Sequence, residues 1–168
     1  MSDEMEVVRS HMKVLPVDIF GLISDLGIEC SFEPMPGHTS GAIEYIAGRY
    51  RISVNQSEGD QRRRFTAAHE LAHYLLHRDL LDDKGKLNRH SDILFGEAAS
   101  ANVSAPFSPS HEVQANRFAA ELLMPRAQIA ARYRADVDNV VELARAFHVS
   151  EKAMKIRLKT LGLRRSLR

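Results

Sequence analysis

The sequence predicts an α+β fold, in which a small three-stranded antiparallel sheet packs on helices and a helix-turn-helix-like segment follows at the C-terminus. Three observations carry this prediction. A region rich in β-branched and aromatic residues lies early in the chain, two strongly periodic helical segments follow it, and a helix-break-helix pattern stands near the end. We divide the chain into a main domain, 1–130, and a helical segment packed on it, 131–168.

The composition indicates a folded protein outside the membrane. Hydrophobic residues make up 44% and charged residues 27% of the 168 residues, close to the averages for globular proteins. No stretch approaches the roughly 20 apolar residues that cross a bilayer, and residues 1–12 carry acids where a signal peptide needs a basic and then an apolar run. We therefore expect a cytoplasmic protein. Its single cysteine, Cys30, is expected to be a packed residue rather than a ligand.

The first third of the chain predicts one helix and three strands. Residues 16–26 place apolar side chains on one helical face, and Gly27 is a plausible terminator. Residues 28–32 and 41–54 are rich in strand formers and are separated by turn-forming prolines and glycines. We expect one strand in the first segment and two in the second, all antiparallel.

The rest of the chain predicts four helices around one long loop. The helical period is clear over 61–77 and 110–123, and the second of these segments ends at Pro125. Residues 82–109 between them are polar and predict a long loop that could cover a site. Two shorter helices are predicted over 137–147 and 150–161, with Ser150 as an N-cap and Gly162 as a C-cap.

The principal motif, H-E-L-A-H over residues 69–73, indicates a metal site. His69 and His73 are four residues apart, so on a helix both imidazoles lie on one face and can reach one zinc ion. Glu70 is offset from His69 by about 100° and can lie beside the metal without binding it, where its carboxylate can act as a general base. The alternative is that both histidines are merely hydrogen-bonded core residues.

A third ligand is needed, because catalytic zinc usually has three protein ligands and one open position. We choose Glu112, since it shares a helical face with small and apolar residues that can pack against the motif helix. Glu121 lies about half a turn around the same helix and should point away. His90 and His111 are the rival ligands.

Other polar residues are assigned supporting roles. Asn116, one turn after Glu112, either orients a metal ligand or faces solvent. His77 lies about 12 Å from His69 along the helix axis, too far to share an ion, so we assign it a structural role or a contact with a ligand. The candidates for the donor that stabilises the oxyanion are Tyr74, His90, His111 and Tyr133.

The C-terminal pattern over 140–163 is typical of a helix-turn-helix. In a DNA-binding version its second helix would enter the major groove and contact phosphates or base edges through Lys152, Lys155, Arg157 and Lys159. The alternative, which we favour, is a helical pair that packs on the main domain or grips a protein substrate.

Two segments together resemble the ImmA/IrrE family of bacterial metallopeptidases. They are R-F-T-A-A-H-E-L-A-H-Y-L-L-H over 64–77 and E-V-Q-A-N-R-F-A-A-E-L-L-M-P over 112–125. The resemblance implies a zincin-like fold, Zn²⁺ bound by His69, His73 and Glu112, and Glu70 as the catalytic glutamate. It also implies cleavage of a helix-turn-helix repressor or antitoxin, in stress-response or toxin-antitoxin loci.

Three hypotheses of different classes follow. The first is a zinc endopeptidase that cleaves a repressor, the second is a DNA-binding regulator, and the third is a non-catalytic partner-binding protein with a structural zinc.

Overall fold

The computed structural model describes residues 2–37, 39–84, 86–89 and 107–164. Within these ranges it contains the helices α1 (Ser2–His11), α2 (Ile19–Asp25), α3 (Asp60–Lys84), α4 (Pro109–Leu123), α5 (Arg126–Arg132), α6 (Val140–Phe147) and α7 (Glu151–Thr160), and the strands β1 (Glu29–Glu33), β2 (Gly41–Ile46), β3 (Arg49–Asn55) and β4 (Lys86–Arg89). The α+β class is therefore confirmed. Among the helices described, none is both long and apolar enough to cross a membrane.

The sheet is mixed, which corrects the prediction of a purely antiparallel sheet. Its strand order is β1-β3-β2-β4, with β2 antiparallel to both of its neighbours and β1 parallel to β3. The reason is that β3 inserts between β1 and β2. Because the β2–β3 hairpin reverses the chain, β3 returns in the direction of β1. The fourth strand lies in the segment that was predicted as loop.

The β2–β3 hairpin has a tight turn that the sequence signalled only weakly. Ile46 pairs with Arg49, which leaves Ala47 and Gly48 as a two-residue loop. Both loop residues have positive φ, 52° and 79°. This is the backbone of a type I′ turn, whose twist matches that of the flanking strands.

Most helix boundaries agree with the prediction to within a few residues. Gly27 follows α2 with φ of 77°, and the Ile28 N–H donates to the Ile23 carbonyl, which closes the helix end. Ser150 accepts from the Ala153 N–H as the predicted N-cap. The helices α1 and α5 were not predicted, and α3 continues to Lys84 beyond the expected end. The remainder of the predicted loop, 90–106, lies outside the described residues.

The motif helix α3 lies between the sheet and α4. Ala67, Ala68 and Leu71 are fully buried in the core that this arrangement creates. Gly41, the first residue of β2, lets the sheet approach α3 closely. A Cβ atom there would lie 2.5 Å from Thr66 Cγ2 and 2.9 Å from the Ser53 carbonyl oxygen, so a larger residue would push the sheet and the helix apart.

Arg64 ties α3 to both ends of the chain. Its guanidinium, only 7% exposed, donates to the carbonyl of Val17 at 2.8 Å. It also donates to the carbonyls of Phe147 and His148 at the C-terminal end of α6, both at 3.3 Å. The unbonded carbonyls of a helix end carry partial negative charge, which favours a cation there.

Arg157 ties α7 to α4 in the same manner. It is 7% exposed, its Nε–H donates to the Met124 carbonyl at 3.1 Å, and it forms an ion pair with Glu121. The C-terminal helices are thus bonded to the rest of the chain by two buried guanidinium groups. The proposed boundary at residue 130 stays a prediction.

Cys30 is a free, half-buried thiol in β1. Burial raises the pKa of Cys30 to about 11. The thiol is therefore protonated at neutral pH, where it is a poor nucleophile and a poor metal ligand. This agrees with its expected role as a packed residue.

Candidate metal centre

The structure brings His69, His73 and Glu112 into one buried cluster. Each side chain offers a ligand atom, and these atoms all lie within 4.8 Å of one another. The two imidazole Nε2 atoms are 3.2 Å apart. One Glu112 oxygen lies 3.3 Å from His69 Nε2, and the other lies 2.9 Å from His73 Nε2. Helix α3 therefore supplies two candidate ligands and α4 supplies the third.

The cluster has the dimensions and the chemistry of a tetrahedral zinc site. Ligand atoms about 2.0–2.1 Å from zinc, at tetrahedral angles, lie about 3.3–3.4 Å apart. The two Nε2 atoms, 3.2 Å apart, fall close to that value, and the contacts of 2.9 and 3.3 Å join them to different oxygens of Glu112. Two imidazoles and one carboxylate are also a donor set that catalytic zinc commonly uses. The residues present therefore fit a zinc ion.

The outer nitrogen of each candidate histidine ligand has a hydrogen-bond partner. His69 Nδ1 lies 2.8 Å from Asn116 Oδ1, and because an amide oxygen only accepts, His69 donates its proton there. In a neutral imidazole this leaves the lone pair on Nε2, which faces the cluster. His73 Nδ1 lies 3.0 Å from His77 Nδ1. Asn116 thus has the first of the two roles considered for it, contact with a candidate ligand.

Phe107 encloses the cluster from the side of the chain that enters α4. Its ring stacks on His73 with 3.8 Å between centroids and 5° between planes, and it is 2% exposed. Excluding water from this side strengthens electrostatic interactions in the cluster, because the local dielectric constant is low. Sequence reasoning missed Phe107, although a single large apolar residue just before the Ser108 N-cap is a usual packing position.

The surroundings of Glu112 favour its ionised form when the imidazoles carry protons on Nε2. Burial alone would raise its pKa, but hydrogen bonds from protonated His69 and His73, and their charge, hold the pKa of Glu112 below the ordinary value of a glutamate. An ionised carboxylate is the form that binds a metal ion.

Glu70 is fully buried on α3, directly after His69 in the sequence and against the sheet. A Cβ atom at Gly41 would lie 3.6 Å from Glu70 Cγ, so the glycine defines one wall of the Glu70 environment. A fully buried carboxyl group requires a reason, since burial of a charge is costly unless the surroundings compensate it. The role of general base predicted for Glu70 would supply that reason.

The rival ligand His111 and the oxyanion candidates Tyr74 and Tyr133 have hydrogen-bond partners outside the cluster. His111 Nδ1 accepts from the Ser108 N–H at 3.0 Å and completes the cap of α4, and His111 is not part of the cluster. Tyr74 donates to Glu4 at 2.8 Å, and Tyr133 donates to Asp138 at 3.0 Å. His90 lies outside the described residues.

The basic face predicted for α7 is smaller than the sequence suggested. Arg157 of α7 is buried against α4, where it pairs with Glu121, so it does not face a nucleic acid. This removes Arg157 from the contacts considered for a DNA-binding version and agrees with the favoured alternative, in which the helical pair packs on the rest of the chain. In the sequence, a long cation at helical spacing looks the same whether it points outward or anchors the helix. Lys152 and Lys159 are exposed.

Comparison with known proteins identifies the family. Residues 23–159 of the 168 match the Peptidase_M78 family, described as the IrrE N-terminal-like domain. This chain belongs to that family. The resemblance drawn from the two sequence segments is thereby confirmed, and with it membership in a family of metallopeptidases. No curated protein matches this M78 chain significantly.

A solved structure shares the fold of this M78 chain. It is a Mycobacterium tuberculosis transcriptional regulator, with a TM-score of 0.52 and 20% sequence identity. The match covers 95% of the present chain and 47% of the regulator, so the chain spans about half the length of that protein. At this identity the likeness concerns the fold alone, and it agrees with a zincin-like M78 architecture.

Proposed function

We propose that this M78 chain is a zinc-dependent endopeptidase of the H-E-x-x-H type. In this proposal His69, His73 and Glu112 hold the zinc ion, and Glu70 is the catalytic base. The observation that carries it is the convergence of two imidazole nitrogens from α3 and one carboxylate from α4 in a buried cluster, with Glu70 on the same helix as the two histidines. Membership in a peptidase family supports the same reaction.

The division of labour follows from the positions of the residues. Zinc is a Lewis acid that lowers the pKa of a water molecule toward about 7 and polarises a peptide carbonyl. Glu70 accepts a proton from the attacking water and donates it to the leaving amine, so the carboxylate is regenerated. Asn116 is hydrogen-bonded to His69 Nδ1 and holds that imidazole with its Nε2 atom toward the cluster, where it would bind the ion.

The proposed substrate is a helix-turn-helix transcriptional repressor or antitoxin in the cytoplasm. Support comes from the family resemblance, which implies such partners. The structural neighbour is itself named a transcriptional regulator, which agrees with a role in regulation. In this proposal the α6–α7 pair packs on the peptidase body and helps to hold the substrate.

DNA binding is the second candidate function, and the exposed Lys152 and Lys159 on α7 favour it. Binding through phosphate contacts weakens steeply as salt concentration rises. A DNA affinity that changes neither with salt concentration nor on replacement of these two lysines would count against phosphate contacts through α7. The third candidate, a partner-binding protein with structural zinc, differs from the proposed enzyme only in lacking turnover.

Peptide cleavage tests the proposed enzyme directly. We expect the zinc-loaded protein to generate new N-termini in a peptide library prepared from bacterial protein, as measured by mass spectrometry. Treatment with a zinc chelator should abolish these products, and added zinc should restore them. If the zinc-loaded wild-type protein leaves the library intact, and also leaves intact helix-turn-helix repressors supplied as folded proteins, the peptidase proposal is wrong.

A further inference from the structure

Helix α3 changes its backbone geometry at His77, the fourth residue after His73. His77 has φ −128° and ψ 26°, outside the helical region, whereas the helix continues on both sides of it. The side chain is 5% exposed. Its Nδ1 atom lies 3.0 Å from His73 Nδ1, so the irregular residue carries an imidazole that contacts a candidate metal ligand.

The far side of His77 is held by α4. His77 Nε2 lies 2.8 Å from Gln114 Oε1, and because this amide oxygen only accepts, His77 Nε2–H is the donor. A neutral imidazole with its proton on Nε2 has a lone pair on Nδ1. His73 Nδ1–H must therefore donate to His77, which leaves the His73 Nε2 lone pair directed at the cluster.

Helix α4 supplies both a candidate ligand, Glu112, and Gln114, the residue that holds His77. Gln114 follows Glu112 by two residues on α4, and Glu112 contributes the carboxylate of the cluster. The packing of α3 against α4 thus sets the distance from Glu112 to His73 and, through Gln114 and His77, the orientation of the His73 ring.

We propose that His77 is a positioning residue, which fixes the tautomer and ring orientation of His73 for metal binding, with Gln114 as its anchor. The inference rests on the metal site proposed above. Partners of ligating histidines are usually carboxylates or carbonyls. Here a second histidine, oriented by a glutamine on the neighbouring helix, takes that place.

The test measures zinc affinity by chelator competition and the visible spectrum of the cobalt-substituted protein. We expect His77→Leu to bind zinc about 10- to 100-fold more weakly than wild type and to alter the cobalt spectrum. His77→Asn should retain an affinity within about 3-fold of wild type, because its amide oxygen can accept from His73 near the Nδ1 position. Val113→Ala, an exposed neighbour of Gln114, is the matched control and should change neither readout.

A second variant removes the anchor without touching α3. Gln114 is exposed, so Gln114→Leu should fold like wild type, and its zinc affinity should fall in the same direction as that of His77→Leu. Wild-type affinity and an unchanged cobalt spectrum in folded His77→Leu would overturn the inference and leave the metal site intact. If His77→Leu does not fold, an unchanged Gln114→Leu would overturn it instead. A wild-type protein that takes up no zinc would remove the metal site itself.

Discussion

Replacement of Glu70 by glutamine is expected to lower the rate of peptide hydrolysis by about 10²- to 10⁴-fold, the range over which a general base contributes. The amide has nearly the same shape as the carboxylate but cannot accept the proton of the attacking water. Glu70 is not one of the three clustered ligand residues, so zinc content should stay at the wild-type level. The measurement combines initial rates on a cleaved peptide with elemental analysis of the same sample.

The control for this variant is Glu6→Gln, which removes an exposed carboxylate on α1, outside the α6–α7 pair. It should hydrolyse the peptide at the wild-type rate. If Glu70→Gln also retained the wild-type rate, the assignment of Glu70 as base would be wrong. If it lost both activity and zinc, Glu70 would contribute to metal binding instead.

Replacement of Arg64 by alanine is expected to reduce the free energy of unfolding by about 3 kcal/mol, because removal of the charged donor leaves buried carbonyls without hydrogen-bond partners. Three carbonyls from two distant segments lose their bonds. Burial opposes the charge of Arg64 and lowers its pKa, which offsets part of the gain from these bonds. Denaturant unfolding followed by circular dichroism measures the difference.

Arg63→Ala is the matched control on the same helix. Arg63 is half-exposed and lies 3.8 Å from Asp60, a surface pair of small expected value. Its replacement should change the unfolding free energy by no more than about 0.5 kcal/mol. Equal effects of the two substitutions would show that Arg64 is not the tie between α3 and the C-terminal helices.

Much of the candidate site could be predicted because it depends on local geometry. The spacing of His69 and His73 places both imidazoles on one face of a helix wherever that helix lies in the fold. Glu112 could be predicted as a ligand because its neighbours on the same helical face are small and apolar, and a face of that kind packs closely on another helix. The buried contact of α4 with α3 agrees with this reasoning.

The remaining features depend on contacts between distant segments. No periodicity indicates that β3 enters the sheet beside β1, or that a strand forms over Lys86–Arg89 in a polar stretch. The roles of Gln114 and Phe107 depend on their contacts with side chains of α3. Gln114 contacts His77, and Phe107 stacks on His73. Arg157 has its anchoring role because its side chain meets the C-terminal end of α4, and the residues next to Arg157 in the sequence do not indicate this contact.

The metal content of the protein tests the central claim most directly. Elemental analysis is made on wild type and on His69→Ala, His73→Ala and Glu112→Ala, with folding checked by circular dichroism. We expect about one zinc per wild-type chain and its loss from each folded variant, as a site with three protein ligands requires. A wild-type protein that binds no metal when zinc is supplied, or a folded Glu112→Ala variant that keeps its zinc, would contradict the site.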